Sequence, residues 1–270
     1  MATEGAQPDW GMIAEKFDLW LPHLAPVGTA MLEALPVAPG DRVLDVACGT
    51  GEPALTLARA NPHARVTAID AAPPMVEVAR RKAHQAGLTN IDFEAMTAEH
   101  MRFADAGFDA LCCRFGVMLF EDSGKGLAEM RRVLKPGGAF VLAVWSTPET
   151  MTTMDWACRA FAGRIPEEQY PAVDKISSLG QPGRLEAMLA EAGFAEYAVE
   201  ARTFHYRFPS FDAYWDLVEA SDILKQQFDA LPDGGRREVR DEVAAFARDF
   251  HGPEGLAIPH DYLLASGRRD

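Results

Sequence analysis

Basic residues are scarce in this chain. Among 270 residues, 26 Lys and Arg face 40 Asp and Glu, for a net charge of -14 at pH 7. No long Lys/Arg run offsets that excess, and a nucleic-acid partner, which requires a basic footprint, is disfavoured. Cysteine is scarcer still. The four present, Cys48, Cys112, Cys113 and Cys158, show no C-x-x-C spacing, so neither a disulfide scaffold nor a zinc site is indicated. Cys112 and Cys113 are neighbours in a strand-like run and would point to opposite faces, which argues against thiols converging on a metalloid. The thiols read as small apolar residues, and no metal site is expected. Apolar runs are short as well: none reaches the roughly 20 residues that a membrane-spanning helix needs. The first residues, Met1-Ala-Thr-Glu-Gly-Ala-Gln, lack the basic and apolar regions of a signal peptide. A cytoplasmic chain without a stable membrane anchor is the expectation. Repeats, low-complexity tracts and long linkers are missing too, so residues 1–270 are expected to form one domain.

What the chain does have is a strand, a glycine turn and a helix start in succession. Residues 42–55 read Arg-Val-Leu-Asp-Val-Ala-Cys-Gly-Thr-Gly-Glu-Pro-Ala-Leu. Val43, Leu44, Val46 and Ala47 make the short apolar run of a strand buried on both faces. Gly49 and Gly51 bracket a sharp turn in which a missing Cβ lets backbone approach a ligand. Glu52 and Pro53 then open a helix, proline suiting a first-turn position that needs no amide donor. Gly49, Gly51 and Ala54 satisfy the G-x-G-x-x-A pattern of nucleotide-binding units. Asp45 stands four positions before Gly49, and Asp70 ends the next apolar run 21 positions after it. A carboxylate there suits ribose hydroxyls. Charge then separates the cofactors. A dinucleotide would set its pyrophosphate against this turn, where Asp45 and Glu52 would repel it. S-adenosyl-L-methionine carries a sulfonium and an ammonium and no phosphate, so the same carboxylates favour it.

Residues 1–36 precede this unit. Trp10, Ile13, Phe17, Trp20, Leu21 and Leu24 recur at helical intervals, and Pro22 and Pro26 interrupt them, so two short helices are expected. Trp10, Phe17 and Trp20 are candidates for a lid over the cofactor mouth, or for packing on the sheet edge. Residues 37–146 alternate strands (43–47, 65–70, 91–95, 108–113, 139–145) with helices, which argues for a parallel sheet between helical layers. Lys135-Pro-Gly-Gly reads as a compact turn into the fifth strand. Beyond Trp145 the rhythm breaks. Residues 147–180 and 209–253 carry helical spacing with proline interruptions. The first of these leaves the carboxyl end of the fifth strand on the ligand side, and both are expected to be substrate-cap insertions. A helix (182–192) and two strands (197–208, 256–266) complete the pattern, with Ser210 placed to cap a further helix.

Taken together, Val43-Leu-Asp-Val-Ala-Cys-Gly-Thr-Gly, Ala68-Ile-Asp, Cys113-Arg-Phe-Gly-Val and Val133-Leu-Lys-Pro-Gly-Gly resemble the class I S-adenosylmethionine-dependent methyltransferases. The branch they look like is that of the ubiquinone/menaquinone biosynthesis C-methyltransferases. The resemblance covers about residues 37–145. It implies an α/β, Rossmann-like three-layer sandwich whose seven-stranded, mostly parallel sheet has the order 3-2-1-4-5-7-6 with the last strand antiparallel. It implies S-adenosyl-L-methionine as cofactor and S-adenosyl-L-homocysteine as product. Asp45, Ala47, Gly49 and Gly51 match the motif that holds the methionine part. Asp70 matches the ribose carboxylate, Ala71 and Met75 the flanks of the purine, Thr97 and Ala98 the adenine edge, and Arg114 a position beside the methionine moiety. One departure matters. Many relatives have Gly-Asp-Ala where this chain has Met96-Thr97-Ala98, so the carboxylate that would bond the adenine amine is missing, and a threonine hydroxyl or the backbone of Ala98 and Glu99 must substitute.

Methyl transfer from a sulfonium is a direct displacement, so alignment and exclusion of water carry most of the catalysis. A phenol or alcohol acceptor wants a base within hydrogen-bond reach; His23, His100, His205 and Glu149 are the candidates, each with a surface or structural role as the competing reading. Phe17, Trp20, Trp145, Phe161, Tyr170 and Trp215 are candidate pocket aromatics, with core packing as the alternative for any one of them. The leading acceptor class is a small aromatic or secondary-metabolite molecule, with quinone biosynthesis as the family's precedent. A nicotinamide-dependent oxidoreductase and a non-catalytic cofactor-binding protein remain open as other classes, as does a homodimer.

Overall fold

A computed structural model describes residues 9–270. Five strands, β1 (Arg42–Val46), β2 (Arg65–Asp70), β3 (Ile91–Ala95), β4 (Phe108–Arg114) and β5 (Leu134–Trp145), lie parallel in one sheet. Three more follow: β6 (Glu196–Phe208), a two-residue β7 (His251–Gly252) and β8 (Gly255–Arg268). The sheet order is β3-β2-β1-β4-β5-β8-β6, with β7 paired to β8 alone. Leaving out β7, this is the expected seven-stranded order, and β8 is antiparallel to both neighbours.

Helices cover both faces of the central strands, which is why those strands are continuously apolar. Val43, Leu44, Val46 and the run from Ala110 to Cys113 are all sealed from solvent. The edge strand β6 behaves differently: Phe204, Tyr206 and Phe208 are buried while Thr203, His205 and Arg207 face out, the period of two expected when only one face is covered. Its pairing with β8 runs past the end of β5. The β5–β8 register stops at Trp145↔Tyr262, whereas β6 and β8 stay paired from Thr203↔Asp261 to Phe208↔Leu256. This ribbon stands above the carboxyl edge of the parallel strands and walls the region where ligands bind in such sheets.

Among the described residues eleven α-helices accompany the strands. The first two, α1 (Trp10–Phe17) and α2 (Leu21–Ala34), are separated at Asp18 to Trp20. The expected breaks lie elsewhere: Pro22 sits in the first turn of α2, where no amide is needed, and Pro26 is accommodated inside the helix. In the core come α3 (Ala54–Ala60), α4 (Pro73–Gln85) and α5 (Ser123–Val133); Pro53 is the residue before α3 rather than its first turn. The Lys135-Pro-Gly-Gly segment is part of β5, with a register shift against β4 between Phe108 and Ala110.

After β5 come α6 (Thr152–Phe161), α7 (Val173–Ile176) and α8 (Arg184–Glu191), and after β6 come α9 (Phe211–Ala220), α10 (Lys225–Asp229) and α11 (Gly235–Phe246). Ser210 caps α9 by accepting the Ala213 N–H at 3.2 Å, as expected. The two segments expected to cap the site pack on each other: Trp156 meets Tyr214 and Phe250, Phe161 meets Phe228, and Arg164 pairs with Glu242 at 2.8 Å. Among the described residues no helix is long and apolar enough to cross a membrane, and no group of three or more His, Cys, Asp and Glu is placed to hold a metal ion.

Candidate active site

The turn after β1 is held from beneath and from the side. The Cys48 N–H donates to the Ile69 carbonyl at 2.9 Å, and Gly51 closes back on Cys48 at 2.9 Å. Ala47 and Gly49 take positive φ values of 58° and 53°. Asp70, the last residue of β2, accepts the Gly49 N–H on Oδ2 at 2.8 Å and the Ala72 N–H on Oδ1 at 2.9 Å. One carboxylate thus ties the glycine turn to the start of α4, and each oxygen keeps a lone pair for a further donor. Burial raises the Asp70 pKa, and the two amides oppose that shift.

Asp45 lies behind this surface. It is 0% exposed, its Oδ2 accepts the Ala54 N–H at 3.1 Å and the Cys112 thiol stands 3.5 Å from Oδ1. Burial pushes its pKa up to about 7, with Arg114 and the two hydrogen bonds pulling the other way. Asp45 therefore supports the start of α3 and reaches the cavity only through its field. Gly51 is also structural: at φ 108° its absent Cβ would sit 2.7 Å from Leu55 Cδ1 and 3.2 Å from Ala79 Cβ. Opposite the turn, Gly116 makes room in the same way, since a Cβ there would lie 2.5 Å from that of Ala47.

A cavity of about 510 Å³ opens on this turn. At one end are Ala47, Gly49, Asp70, Ala71, Met75, Thr97 and Ala98, the residues expected around the cofactor. Arg114, the last residue of β4, enters beside them, with its guanidinium next to Gly28 of α2. Burial lowers its pKa, and Asp45 and Glu52 are its chief opposing charges. At the other end are Phe115, Trp145, Thr153, Tyr206 and Tyr214. The Phe115 and Trp145 rings stack at 3.8 Å and 5°. Phe115 holds φ 57°, an uncommon conformation for an aromatic residue and one found at sites where the surroundings impose it. Burial raises the phenol pKa of both Tyr206 and Tyr214.

Trp10, Phe17 and Trp20, the lid candidates, border this cavity. Three ion pairs tie α1 and its C-cap Asp18 to two places: Lys16 to Asp222 in the loop after α9, and Glu15 and Asp18 to α4 through Arg81 at 2.7 Å and Lys82 at 2.9 Å. The other expected pocket aromatics, Phe161, Tyr170 and Trp215, are outside the lining. Phe161 and Trp215 pack on Phe228 inside the cap, and the Tyr170 hydroxyl accepts the Gly163 N–H at 3.0 Å.

None of the candidate bases borders the cavity. His23 stacks on Phe208 at 4.4 Å, His100 Nε2 meets Lys125 Nζ at 2.8 Å, and His205 and Glu149 are exposed. A different histidine stands behind the wall, next to Thr153. His260 of β8 is 2% exposed, and its Nε2 stands 3.2 Å from the Thr153 amide and 3.0 Å from its hydroxyl. Burial drops its pKa to about 3, so the ring is neutral and accepts at Nε2. Phe115, Tyr206, Tyr214 and Thr153 were missed in the sequence. Tyr206 was within reach, on the inward face of an alternating strand, while Thr153 becomes visible only once α6 is docked.

The family described as a methyltransferase domain matches residues 43–138. A demethylmenaquinone methyltransferase of Thermus thermophilus is 35% identical over 173 residues, 60% of this chain and 77% of that protein. Another, of Deinococcus radiodurans, is 40% identical over 152 residues, 54% of this chain and 62% of that protein. Among solved structures, the YcgJ protein from Bacillus subtilis shares the fold, with a TM-score of 0.59 at 21% identity over 93% of this chain and 99% of that one. With a relative aligned over most of its length and the strand order, turn and cavity in place, the chain belongs to the class I S-adenosyl-L-methionine-dependent methyltransferases.

Proposed function

We propose that this enzyme methylates a small aromatic acceptor, of hydroxylated-ring or secondary-metabolite type, held beneath the cap. The observation that carries the reading is that one cavity runs from Gly49 and Asp70 to a chamber of flat rings at Phe115, Trp145, Tyr206 and Tyr214. Such walls bind by apolar contact, and the few polar points among them set orientation. Bound S-adenosyl-L-methionine supplies an electrophilic methyl group on a sulfonium. The residues present suit it: Asp70 has lone pairs free for ribose hydroxyls, Ala71 and Met75 would flank the purine, and Ala98 would lie at its edge. Arg114 would pair with the methionine carboxylate, and the fields of Glu52 and Asp45 would offset the positive charge.

What remains for the chain is to align the acceptor and exclude water, an effect worth up to ~7–11 kcal/mol in well-fitted cases. Thr153 is the residue assigned to alignment. With His260 neutral, its Nε2 accepts a bifurcated hydrogen bond from the Thr153 amide and hydroxyl, so the hydroxyl keeps its proton and the Oγ1 lone pairs are left for an O–H or N–H of the acceptor. The free thiols and acidic surface suit a cytoplasmic, reducing setting.

A quinone-biosynthesis acceptor is the second reading, favoured by the names of the relatives in Thermus thermophilus and Deinococcus radiodurans. The matched family region ends at residue 138, before the segments at the acceptor end of the cavity, so that match says nothing of the acceptor. Transfer of labelled methyl to a panel of hydroxynaphthalenes, a prenylated naphthoquinol, aliphatic alcohols and amines decides. Transfer to simple hydroxynaphthalenes supports the first reading, strict dependence on the prenylated quinol selects the second, and activity on the aliphatic acceptors alone would overturn both.

A further inference from the structure

The family resemblance implies a carboxylate at position 97, where this chain has Thr97, and a neighbouring side chain offers another. Thr97 is exposed, and its hydroxyl is directed at His100 Nδ1, 3.5 Å away. Glu99, in the one-turn 3₁₀ helix Ala98–His100, is 8% exposed yet borders the cavity. Its Oε1 accepts two backbone N–H groups of the loop before α5, Glu121 at 2.9 Å and Asp122 at 3.3 Å. That loop is itself fixed, because Asp122 caps α5 by accepting the Lys125 N–H at 2.9 Å. Oε2 has no partner among the described residues and is not among the sealed polar atoms. The side chain is therefore a buried carboxylate with one oxygen saturated and the other open at the same end of the cavity as Ala71, Met75 and Ala98. An ionised carboxylate only accepts, so that oxygen asks for an N–H donor.

We infer that Glu99 Oε2 is the hydrogen-bond acceptor for the exocyclic 6-amino group of adenine, in place of the missing carboxylate at Thr97. This rests on the reading of the cavity as the methyl-donor site. The chemistry is selective. A site whose buried acceptor matches an amine rejects the analogue that presents a carbonyl there, because two acceptors then face each other without a proton. The specificity for a 6-aminopurine is thus carried by Glu99, two residues along the chain from Thr97, on a side chain anchored by the loop before α5.

Calorimetry on the full chain with S-adenosyl-L-homocysteine and its 6-oxo counterpart, S-inosyl-L-homocysteine, tests this. The wild type is expected to prefer the 6-amino ligand by at least about tenfold, the scale of one charge-assisted hydrogen bond. Glu99→Gln is the informative variant. The Glu121 and Asp122 N–H groups require the amide oxygen on their side, which turns the NH2 toward the purine. The preference is expected to reverse, with about tenfold weaker binding of the adenine ligand and tighter binding of the 6-oxo ligand. Thr97→Val is expected to leave the preference unchanged. Equal affinity of the wild type for the two ligands, a folded Glu99→Gln with the wild-type preference, or a preference abolished by Thr97→Val would each overturn the assignment. Failure of the wild type to bind either ligand is a distinct result: it would sink the donor-site reading, and the role of Glu99 with it.

Discussion

Asp70 holds the cofactor turn and, in the proposed reading, the ribose; replacing it separates the two tasks. In the wild type each carboxylate oxygen accepts one backbone N–H, from Gly49 and from Ala72, and has capacity for one ribose hydroxyl. Asp70→Ala removes four acceptor positions at once. Each charge-assisted bond to the ribose is worth about 1.5–3 kcal/mol, and water recovers part of that in the variant. A net loss of at least ~1.4 kcal/mol, or tenfold in affinity for S-adenosyl-L-homocysteine, is expected. The same change leaves the Gly49 and Ala72 amides without their acceptor, a further cost to the unliganded fold of about 1–3 kcal/mol for each amide that stays dry. Asp70→Asn retains one oxygen and turns an NH2 against one of the amides, so both losses should be intermediate. Calorimetric titration gives the affinities, and thermal unfolding without ligand gives the cost to the fold. The two readouts need to move together. A folded Asp70→Ala protein with wild-type affinity refutes the role of Asp70, and lost affinity with unchanged stability would mean that the tie to Gly49 contributes nothing.

Asp45 predicts a pH dependence. Its folded pKa of about 7 lies above the ordinary 3.8 because of burial, so between those values the folded state holds a proton that the unfolded chain has released. Stability contributed by Asp45 therefore falls as pH rises through that window. A sulfonium and an ammonium nearby favour the ionised form. Affinity for S-adenosyl-L-methionine should thus rise with pH up to about 7, with proton release seen as a buffer-dependent binding enthalpy; a buffer-independent enthalpy near pH 6 would refute it. At Gly116, an added Cβ would lie 2.5 Å from Ala47 Cβ and 2.7 Å from Cys113 Sγ. Gly116→Ala is expected to cost about 1–3 kcal/mol in thermal or denaturant unfolding and to weaken cofactor binding. At Gly124, in α5, the nearest atom is 3.5 Å away, so Gly124→Ala should be neutral or stabilising by up to ~1 kcal/mol. Thr153→Val should lower methyl transfer to a hydroxylated acceptor about tenfold while leaving S-adenosyl-L-homocysteine affinity unchanged, and Thr153→Ser should restore it; a parallel loss of cofactor affinity would place Thr153 in the donor half instead.

The two halves of the site differ in how far they could be read without the fold. The donor half is local. Ala47, Gly49 and Asp70 are brought together by one strand-turn-helix unit and the strand beside it, and a β-strand with a positive-φ turn leaves few alternatives for where those residues go. Even there, spacing could not tell a ligand contact from its support. Asp45 and Gly51 match the motif as well as Gly49 does, yet one is sealed behind the turn and the other packs on Leu55. The acceptor half is assembled from distant segments. The role proposed for Thr153 depends on His260, 107 residues away, through a docking of α6 on β8 that no local pattern encodes. The aromatic candidates show the same limit, since Trp145 lines the chamber while Trp215 and Phe161 are spent on holding the cap together. Periodicity reports that a side chain is buried, and both fates bury it. The division has a functional consequence. A motif that binds an invariant cofactor can stay local, whereas an acceptor pocket built where two cap segments meet the β6–β8 ribbon can change its occupant by changing the cap, without disturbing the methyl donor.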